Sequence, residues 1–352
     1  MDVTGITVVN DAMRISFCCT HTKAEPWLAG LRAALPPGTL VEDWVAGARP
    51  ADYAVVWAPP QTFIDEQTAG SQSLSLSQGQ NQSGAQDASG GTNRKSSPGS
   101  NPLKAIFNIG AGVDALMALK IPPQVQVVRL DDAGMSVQMA EYVCHALIRH
   151  FREFDGYEAD VAQGKWSYRK PRSRADFPVG VMGLGVLGGR EAKAVAQFDF
   201  PVMGWSRTPK TVDGVRCFAG EAQFDGFLKA SKGLVCLLPL TPDTQGIMRF
   251  ETLSKLQTGG YVINVARGAH LVEEDLISLI DSGHLAGATL DVFRTEPLPA
   301  GHPLWQHPKI TVTPHTSART LREESIAQIA GKIMALERGE PIAGRVDPQR
   351  GY

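Results

Sequence analysis

The segment that most constrains the fold is Gly183-Leu184-Gly185-Val186-Leu187-Gly188, set between an apolar run, Val179-Gly180-Val181-Met182, and a stretch with helical spacing. Glycines at this spacing permit a tight turn out of a strand, close approach of the backbone to a bound group, and tight packing of the next helix. Backbone N–H groups at the start of such a helix form an anion site suited to a pyrophosphate. A second short apolar run, Pro201-Val202-Met203-Gly204-Trp205, completes a strand–turn–helix–strand order. A site for NAD carries Asp or Glu about twenty residues past the glycines, where it accepts from a ribose 2′-hydroxyl. Here that place reads Ser206-Arg207-Thr208-Pro209-Lys210. A carboxylate would repel a 2′-phosphate, whereas a hydroxyl and two cations attract one. The segment therefore predicts NADP(H) as the preferred cofactor, with NAD(H) as the alternative.

The chain has 352 residues and 43% hydrophobic content, enough for two domains with real cores. Its net charge of −2 gives no reason to expect nucleic acid or an anionic membrane as a partner. No apolar run approaches the ~20 residues that span a bilayer. The start has neither a basic region nor a long apolar one, so no signal peptide is expected. The cysteines (Cys18, Cys19, Cys144, Cys217, Cys236) lack metal-ligand spacing and read as reduced thiols of a cytoplasmic protein, with no metal site expected.

Residues 1–12 fit poorly with the strand–helix pattern that begins at Met13 and are expected to be a disordered extension. Met13-Arg14-Ile15-Ser16-Phe17-Cys18-Cys19 reads as the opening strand, and residues 27–35 as the helix after it. A further strand is expected at Tyr53-Ala54-Val55-Val56-Trp57. From residue 70 to 102 the composition collapses to Ser, Gln, Gly and Asn, and a mobile polar insertion is expected there. Strands resume at residues 103–109 and 125–130, with the turn Gly110-Ala111-Gly112 between them. A long helix is predicted over residues 136–162. Beyond the glycine turn, strands are predicted at 233–238, 260–265, 288–292 and 309–312, with a helix over 273–281 and an amphipathic one over 321–336. Alternation of this kind predicts parallel sheets with right-handed crossovers, an α/β fold.

Three polar clusters sit at the C-terminal ends of apolar strands, the edge at which open α/β sheets bind ligands. In Val262-Ile263-Asn264-Val265-Ala266-Arg267-Gly268, the planar fork of Arg267 suits a carboxylate. In Leu290-Asp291-Val292-Phe293-Arg294-Thr295-Glu296, two carboxylates follow a strand. In Thr311-Val312-Thr313-Pro314-His315, a histidine, the residue type suited to passing a proton, stands behind a proline. Together they make a mechanism: a cation for a carboxylate, an imidazole for proton transfer, and a carboxylate to orient it.

The ordered set G-L-G-V-L-G, L-L-P-L-T-P-D-T, I-N-V-A-R-G, L-D-V-F-R-T-E-P-L and T-P-H resembles the D-isomer-specific 2-hydroxyacid dehydrogenase family, from Met13 onward apart from the polar insertion. Within the family, Ala51-Asp52-Tyr53-Ala54-Val55-Val56-Trp57, Gly110-Ala111-Gly112-Val113-Asp114, Trp205-Ser206-Arg207-Thr208 and Leu304-Trp305-Gln306-His307-Pro308 are similar to its glyoxylate/hydroxypyruvate reductases. The resemblance implies two Rossmann-like or flavodoxin-like domains with parallel sheets and an active site in the cleft between them. The substrate domain would comprise residues 13–133 plus 320–352, and the NADP-binding domain residues 134–319. It implies Arg267 as the group that binds the substrate carboxylate and polarises the keto oxygen, His315 as the general acid, and Glu296 as its partner. Asp291 would accept from the nicotinamide carboxamide. Leu238, Pro239 and Thr244 would wall the cofactor riboses, alongside Val265 and Ala266, and the glycine turn (Gly183, Gly185, Val186, Leu187, Gly188) with Ser206, Arg207 and Lys210 would hold the phosphates. The amides of Ala111 and Gly112 would grip the substrate carboxylate, and Trp57 would restrict its side chain.

The implied reaction is reduction of small 2-keto acids with NADPH, glyoxylate to glycolate or hydroxypyruvate to glycerate. The implied assembly is a homodimer, with the long helix after Gly134 as a contact. An NAD-dependent relative acting on another 2-hydroxy acid is one rival, and a dinucleotide-sensing binding protein on the same scaffold is another. The basic segment at Ser206-Arg207 argues against the first, and the joint presence of Arg267, Glu296 and His315 against the second.

Overall fold

The computed structural model describes residues 12–77 and 103–348. The chain divides into two compact units, one formed up to Asp131 and again from Arg322, the other spanning Asp132–Leu321.

The first unit is built from β1 (Arg14–Cys19), α1 (Ala24–Ala34), β2 (Leu40–Asp43), β3 (Tyr53–Trp57), α2 (Gln61–Ser77), β4 (Ala105–Asn108), α3 (Asp114–Met117) and β5 (Gln126–Arg129). Its strands pair in parallel in the order β2-β1-β3-β4-β5, the flavodoxin-like arrangement. Parallel strands covered on both faces must be apolar on both, and Ala54, Val55, Val56, Ile106 and Phe107 are all fully buried. The helix that closes the chain, α10 (Arg322–Glu337), belongs to this unit. Lys332 of α10 donates to the carbonyl of Arg129 at 3.0 Å and to Asp131 at 2.7 Å, tying down the end of β5.

The second unit comprises α4 (Met135–Phe151), α5 (Phe154–Ala162), β6 (Val179–Met182), α6 (Val186–Ala196), β7 (Val202–Ser206), β8 (Val215–Ala219), α7 (Phe224–Lys229), β9 (Gly233–Cys236), α8 (Phe250–Leu253), β10 (Gly260–Asn264), α9 (Glu273–Asp281), β11 (Leu285–Leu290) and β12 (Ile310–Val312). Its parallel sheet runs β12-β11-β10-β9-β6-β7-β8, the doubly wound order. The direction of winding reverses between β6 and β9, and the crevice beyond their C-terminal ends is where such sheets take ligands. Two apolar clusters flank this sheet, one including Val143, Leu147 and Val195 of α4 and α6, the other Leu253, Leu276 and Ile280 of α8 and α9. Helix α9 has boundaries that its sequence marks: Glu273, Glu274 and Asp275 complement the dipole of its first turn, and Gly283 leaves it with φ of +79°.

Some elements differ from the sequence expectation. The helix expected over residues 136–162 is two, because the buried face of α4 ends at Phe151, packed edge-on to Phe177 and Phe200. The chain then turns at Glu153 in a left-handed conformation, and no residue of α5 is buried. Residues 70–77, expected to be loop, continue α2, since extending a formed helix gains a hydrogen bond for each residue fixed. The rest of that insertion, and residues 1–11 of the expected extension, lie outside the described residues. The edge strands β2 and β8, and the short helices α7 and α8, carry too little periodic apolar pattern to be read from sequence. Among the described residues no helix is long and apolar enough to cross a membrane.

One core residue breaks the pattern. Glu191 of α6 is fully buried, and neither carboxylate oxygen makes a hydrogen bond of good geometry among the described residues. Burial pushes its carboxyl up to about 8; Asp132 adds to the effect, while its own backbone N–H and Arg190 oppose it. A raised carboxyl means that the folded state holds the proton and the unfolded chain releases it at lower pH. The associated stability is complete below the unfolded value and lost as pH rises through the folded one. Melting temperature should therefore fall from about pH 5 to about pH 9, and Glu191→Gln should flatten that decline and melt higher at the alkaline end. Parallel melting profiles for the two proteins would contradict this.

Candidate active site

At the switch point, β6 ends in the glycine turn. Gly183 has φ of +101°, and a Cβ there would lie 2.8 Å from the Leu237 carbonyl oxygen just beyond β9. A Cβ on Gly188 would lie 1.7 Å from the carbonyl oxygen of Gly183, so helix α6 starts as close to the strand as a backbone can. Gly185 caps α6 with nothing within 4 Å of its missing side chain, leaving open space above the helix N-terminus. The first turn of α6 carries no acidic residue. A cradle lined by glycine, facing the positive end of an eleven-residue helix, fits a pyrophosphate. Val186 stands exposed on its rim, with Leu187 half-buried beside it.

Across the crevice, the turn after β9 is closed by Thr244, whose hydroxyl donates to Pro239 O at 2.7 Å and accepts from Thr241 N at 2.8 Å. Thr244 thus shapes the wall made by Leu238 and Pro239. At the end of β7, Ser206 is buried and its hydroxyl donates to Thr208 O at 2.8 Å. That bond stabilises the turn that carries the exposed Arg207 and Lys210.

Arg267 follows β10, after the buried Val265 and Ala266. Its carbonyl accepts from Asn264 Nδ2 at 3.0 Å and from His270 N–H at 3.2 Å, with His270 Nδ1 also at 3.2 Å. His270 Nε2 lies 3.2 Å from Pro239 O, so one fully buried ring links the arginine loop to the wall after β9. Gly268 lets this loop lie against the chain after β11, where a Cβ would come within 1.8 Å of Phe293 C.

The segments after β11 and β12, neighbours in the sheet, bring Glu296 and His315 together. His315 Nδ1 lies 2.7 Å from Glu296 Oε2, while Glu296 Oε1 accepts from Phe293 N–H at 3.0 Å. The glutamate is therefore fixed by the backbone and fixes the ring, leaving Nε2 of the imidazole for a proton to be passed on. His315 itself is left-handed, with φ of +52°.

Asp291, the residue expected to face the nicotinamide carboxamide, holds the chain's own loop. It is fully buried, and its carboxylate accepts from Thr313 Oγ1 at 2.5 Å, Thr316 N–H at 2.8 Å and Ser317 N–H at 2.8 Å. Both oxygens accept from the chain's own loop, so Asp291 anchors the segment around His315, while Oδ2, with one donor, keeps a lone pair for a further N–H. Sequence reasoning also missed Asn264, His270, Thr313 and Tyr142, whose hydroxyl lies 2.5 Å from Thr313 Oγ1. Their partners are carbonyls and hydroxyls that leave no trace in motif spacing.

In the first unit, the turn after β4 is shaped by buried Asn108, whose Nδ2 donates to Gly110 O at 3.0 Å and Gly112 O at 2.8 Å. Trp57, at the end of β3, lies over Gly110, where a Cβ would meet its ring at 2.3 Å. Trp57 is 40% exposed, so the ring covers Gly110 at the start of this turn without being part of the core.

A doubly wound sheet with a phosphate cradle at its switch point, and a carboxylate-held histidine at the ends of strands in the same sheet, defines a dinucleotide-dependent oxidoreductase. The chain belongs to the D-isomer specific 2-hydroxyacid dehydrogenase family. Residues 144–317 match the model of that family's NAD binding domain. The chain is 40% identical over 347 residues, 97% of its length and 100% of the relative's, to a protein of Yersinia enterocolitica named glyoxylate/hydroxypyruvate reductase A. A D-isomer specific 2-hydroxyacid dehydrogenase from Xanthobacter autotrophicus Py2, solved in complex with NADPH and MES, is 39% identical, with a TM-score of 0.83 over 97% of this chain and 100% of that one. An NADPH-dependent glyoxylate/hydroxypyruvate reductase from Sinorhizobium meliloti, solved with NADP and sulfate, is 31% identical, with a TM-score of 0.81 at the same coverage.

The close approach at Gly268 is testable. Gly268→Ala must push the arginine loop off the chain after β11, and a displacement near 1 Å costs roughly 10²-fold in turnover. Gly189→Ala, in α6 with nothing within 4 Å of the added methyl, should leave turnover intact and stabilise the fold by about 0.5–1 kcal/mol. Kinetics and denaturant melts of the two variants check the contrast, and equal turnover in both would refute it.

Proposed function

We propose that this chain reduces small 2-keto acids with NADPH, converting glyoxylate to glycolate and hydroxypyruvate to glycerate. The observation that carries the reading is the 2.7 Å contact between His315 Nδ1 and Glu296, which orients the imidazole with Nε2 outward as a proton donor. The names of its relatives supply the substrate class, and the solved neighbours that hold NADPH or NADP support the choice of nucleotide.

A reduced nicotinamide, when bound, supplies the hydride to the carbonyl carbon. As that carbon takes up the hydride, negative charge grows on the keto oxygen. Arg267 stabilises this charge and pairs with the substrate carboxylate, while His315 in its protonated form delivers the proton that completes the alcohol. Glu296 stabilises the ring while it is charged and keeps Nδ1 turned away from the substrate. The amides of Ala111 and Gly112 take the substrate carboxylate, and Trp57 limits the size of the side chain. On the nucleotide, the N-terminus of α6 holds the pyrophosphate, and Arg207 with Lys210 holds the 2′-phosphate.

The reading extends to a cytoplasmic homodimer. It is supported by the residues from α5 onward, where Val161, Trp166 and Tyr168 are 75%, 103% and 82% exposed, an apolar surface that a second copy of the chain would cover.

His315→Ala should lower turnover by roughly 10²–10⁴-fold, the scale of a lost general acid, when NADPH oxidation is followed with glyoxylate. Turnover within a few-fold of wild type would remove the residue from the mechanism. Arg207→Asp should shift the ratio of kcat/KM for NADPH over NADH toward NADH by about 10- to 150-fold, as one charge-assisted contact is exchanged for repulsion. A ratio that does not move would assign the 2′-phosphate to other residues.

A further inference from the structure

We propose that Tyr142 is a positioning residue for His315, acting through Thr313 and Asp291 by a one-way chain of hydroxyl hydrogen bonds. The proposal rests on the reading of His315 as the general acid. Its geometry, however, stands in the fold regardless of what the site reduces.

The direction of the chain follows from proton bookkeeping. Two backbone N–H groups, of Thr316 and Ser317, can only donate to Asp291, so that carboxylate is an acceptor on both oxygens. The Thr313 hydroxyl has one proton and gives it to Asp291 Oδ1 at 2.5 Å. Its 2.5 Å contact with Tyr142 must then run the other way, the phenol donating and Thr313 accepting. Burial, with Asp291 adding to it and the Thr313 bond opposing, pushes the Tyr142 hydroxyl up to about 12, so the phenol keeps its proton.

The chain ends where the strain is. A non-glycine residue in the left-handed region costs energy and persists only where its surroundings hold it. His315 is such a residue, and Asp291 holds it from both sides. The Asp291 carbonyl accepts the His315 N–H at 2.9 Å, and its carboxylate takes the next two amides. Thr313 fixes the rotation of that carboxylate, and Tyr142, on the packed helix α4, fixes the rotation of Thr313. Without the phenol, the Thr313 hydroxyl can turn away from Asp291, and the loop loses the bond that registers it to the second unit's core. The carbon skeleton of the tyrosine plays no part in this, so its hydroxyl can be removed with the ring left in place.

Tyr142→Phe, Thr313→Val, Thr313→Ser and the double variant Tyr142→Phe/Thr313→Val test the chain. With NADPH and glyoxylate, Tyr142→Phe should lower kcat about 3- to 10-fold, the scale of one neutral hydrogen bond, with KM for NADPH unchanged. Thr313→Ser should restore what Thr313→Val loses, and the double variant should be no worse than Thr313→Val alone, since both cut one chain. Independently of activity, amide hydrogen exchange at Thr316 and Ser317 should quicken in Tyr142→Phe and in Thr313→Val but not in Thr313→Ser. Unchanged exchange at those amides, or losses in kcat that multiply in the double variant, would overturn the proposal. Faster exchange in a protein that reduces no 2-keto acid would instead retain the chain and sink the proposed reaction.

Discussion

The placement of His315 against Glu296 depends on one buried carboxylate. Asp291 stands just past β11, and through its carbonyl and both carboxylate oxygens it binds four groups of the segment after β12. Those bonds stitch two neighbouring strand ends together where the sheet's own ladder stops. A charge removed from water is costly unless its hydrogen bonds are made, and the donors from residues 313–317 meet that requirement. The same bonds leave His315 in a conformation its side chain would not choose, facing Glu296. Burial cost, loop geometry and the placement of the imidazole are therefore one problem with one solution.

The nucleotide half rests on the absence of side chains. Gly183 and Gly188 allow α6 to begin against β6 at distances no Cβ would tolerate, which brings the positive helix end to the sheet's switch point. His270 and Asn264 then hold the Arg267 loop by its carbonyl, and the same histidine ring reaches the Pro239 wall. Arginine, wall and glycine cradle are thus placed by backbone groups on adjacent strands, which suits a site that must present hydride acceptor and proton donor in a fixed relation.

Most of the central sheet was legible in the sequence because parallel strands buried on both faces read as uninterrupted apolar runs, and β3 and β6 appear at the residues their patterns indicated. Helix α9 was legible for another reason, the acids at its start and the glycine past its end. Edge strands β2 and β8 bury too little to leave an apolar signature. The break at Glu153 was hidden because helix-compatible residues continue past Phe151, while the tertiary contacts that end the helix come from Phe177 and Phe200, far along the chain. At the site, residue types pointed to Arg267, Glu296 and His315, and the structure sets Glu296 against the His315 ring. Residue types did not reveal the loop bonds of Asp291 and Ser206, because a carboxylate or hydroxyl at a strand end is as useful to the loop beside it as to a ligand. Tyr142 and His270 were beyond the reach of sequence, since each acts on a partner that only folding brings near.

The wild-type protein's own choice of nucleotide and keto acid decides the matter. Absorbance at 340 nm, followed with NADPH and NADH against glyoxylate, hydroxypyruvate and larger 2-keto acids, should show turnover with the two small acids and a higher kcat/KM for NADPH. No turnover with any 2-keto acid, or a preference for NADH, would contradict it.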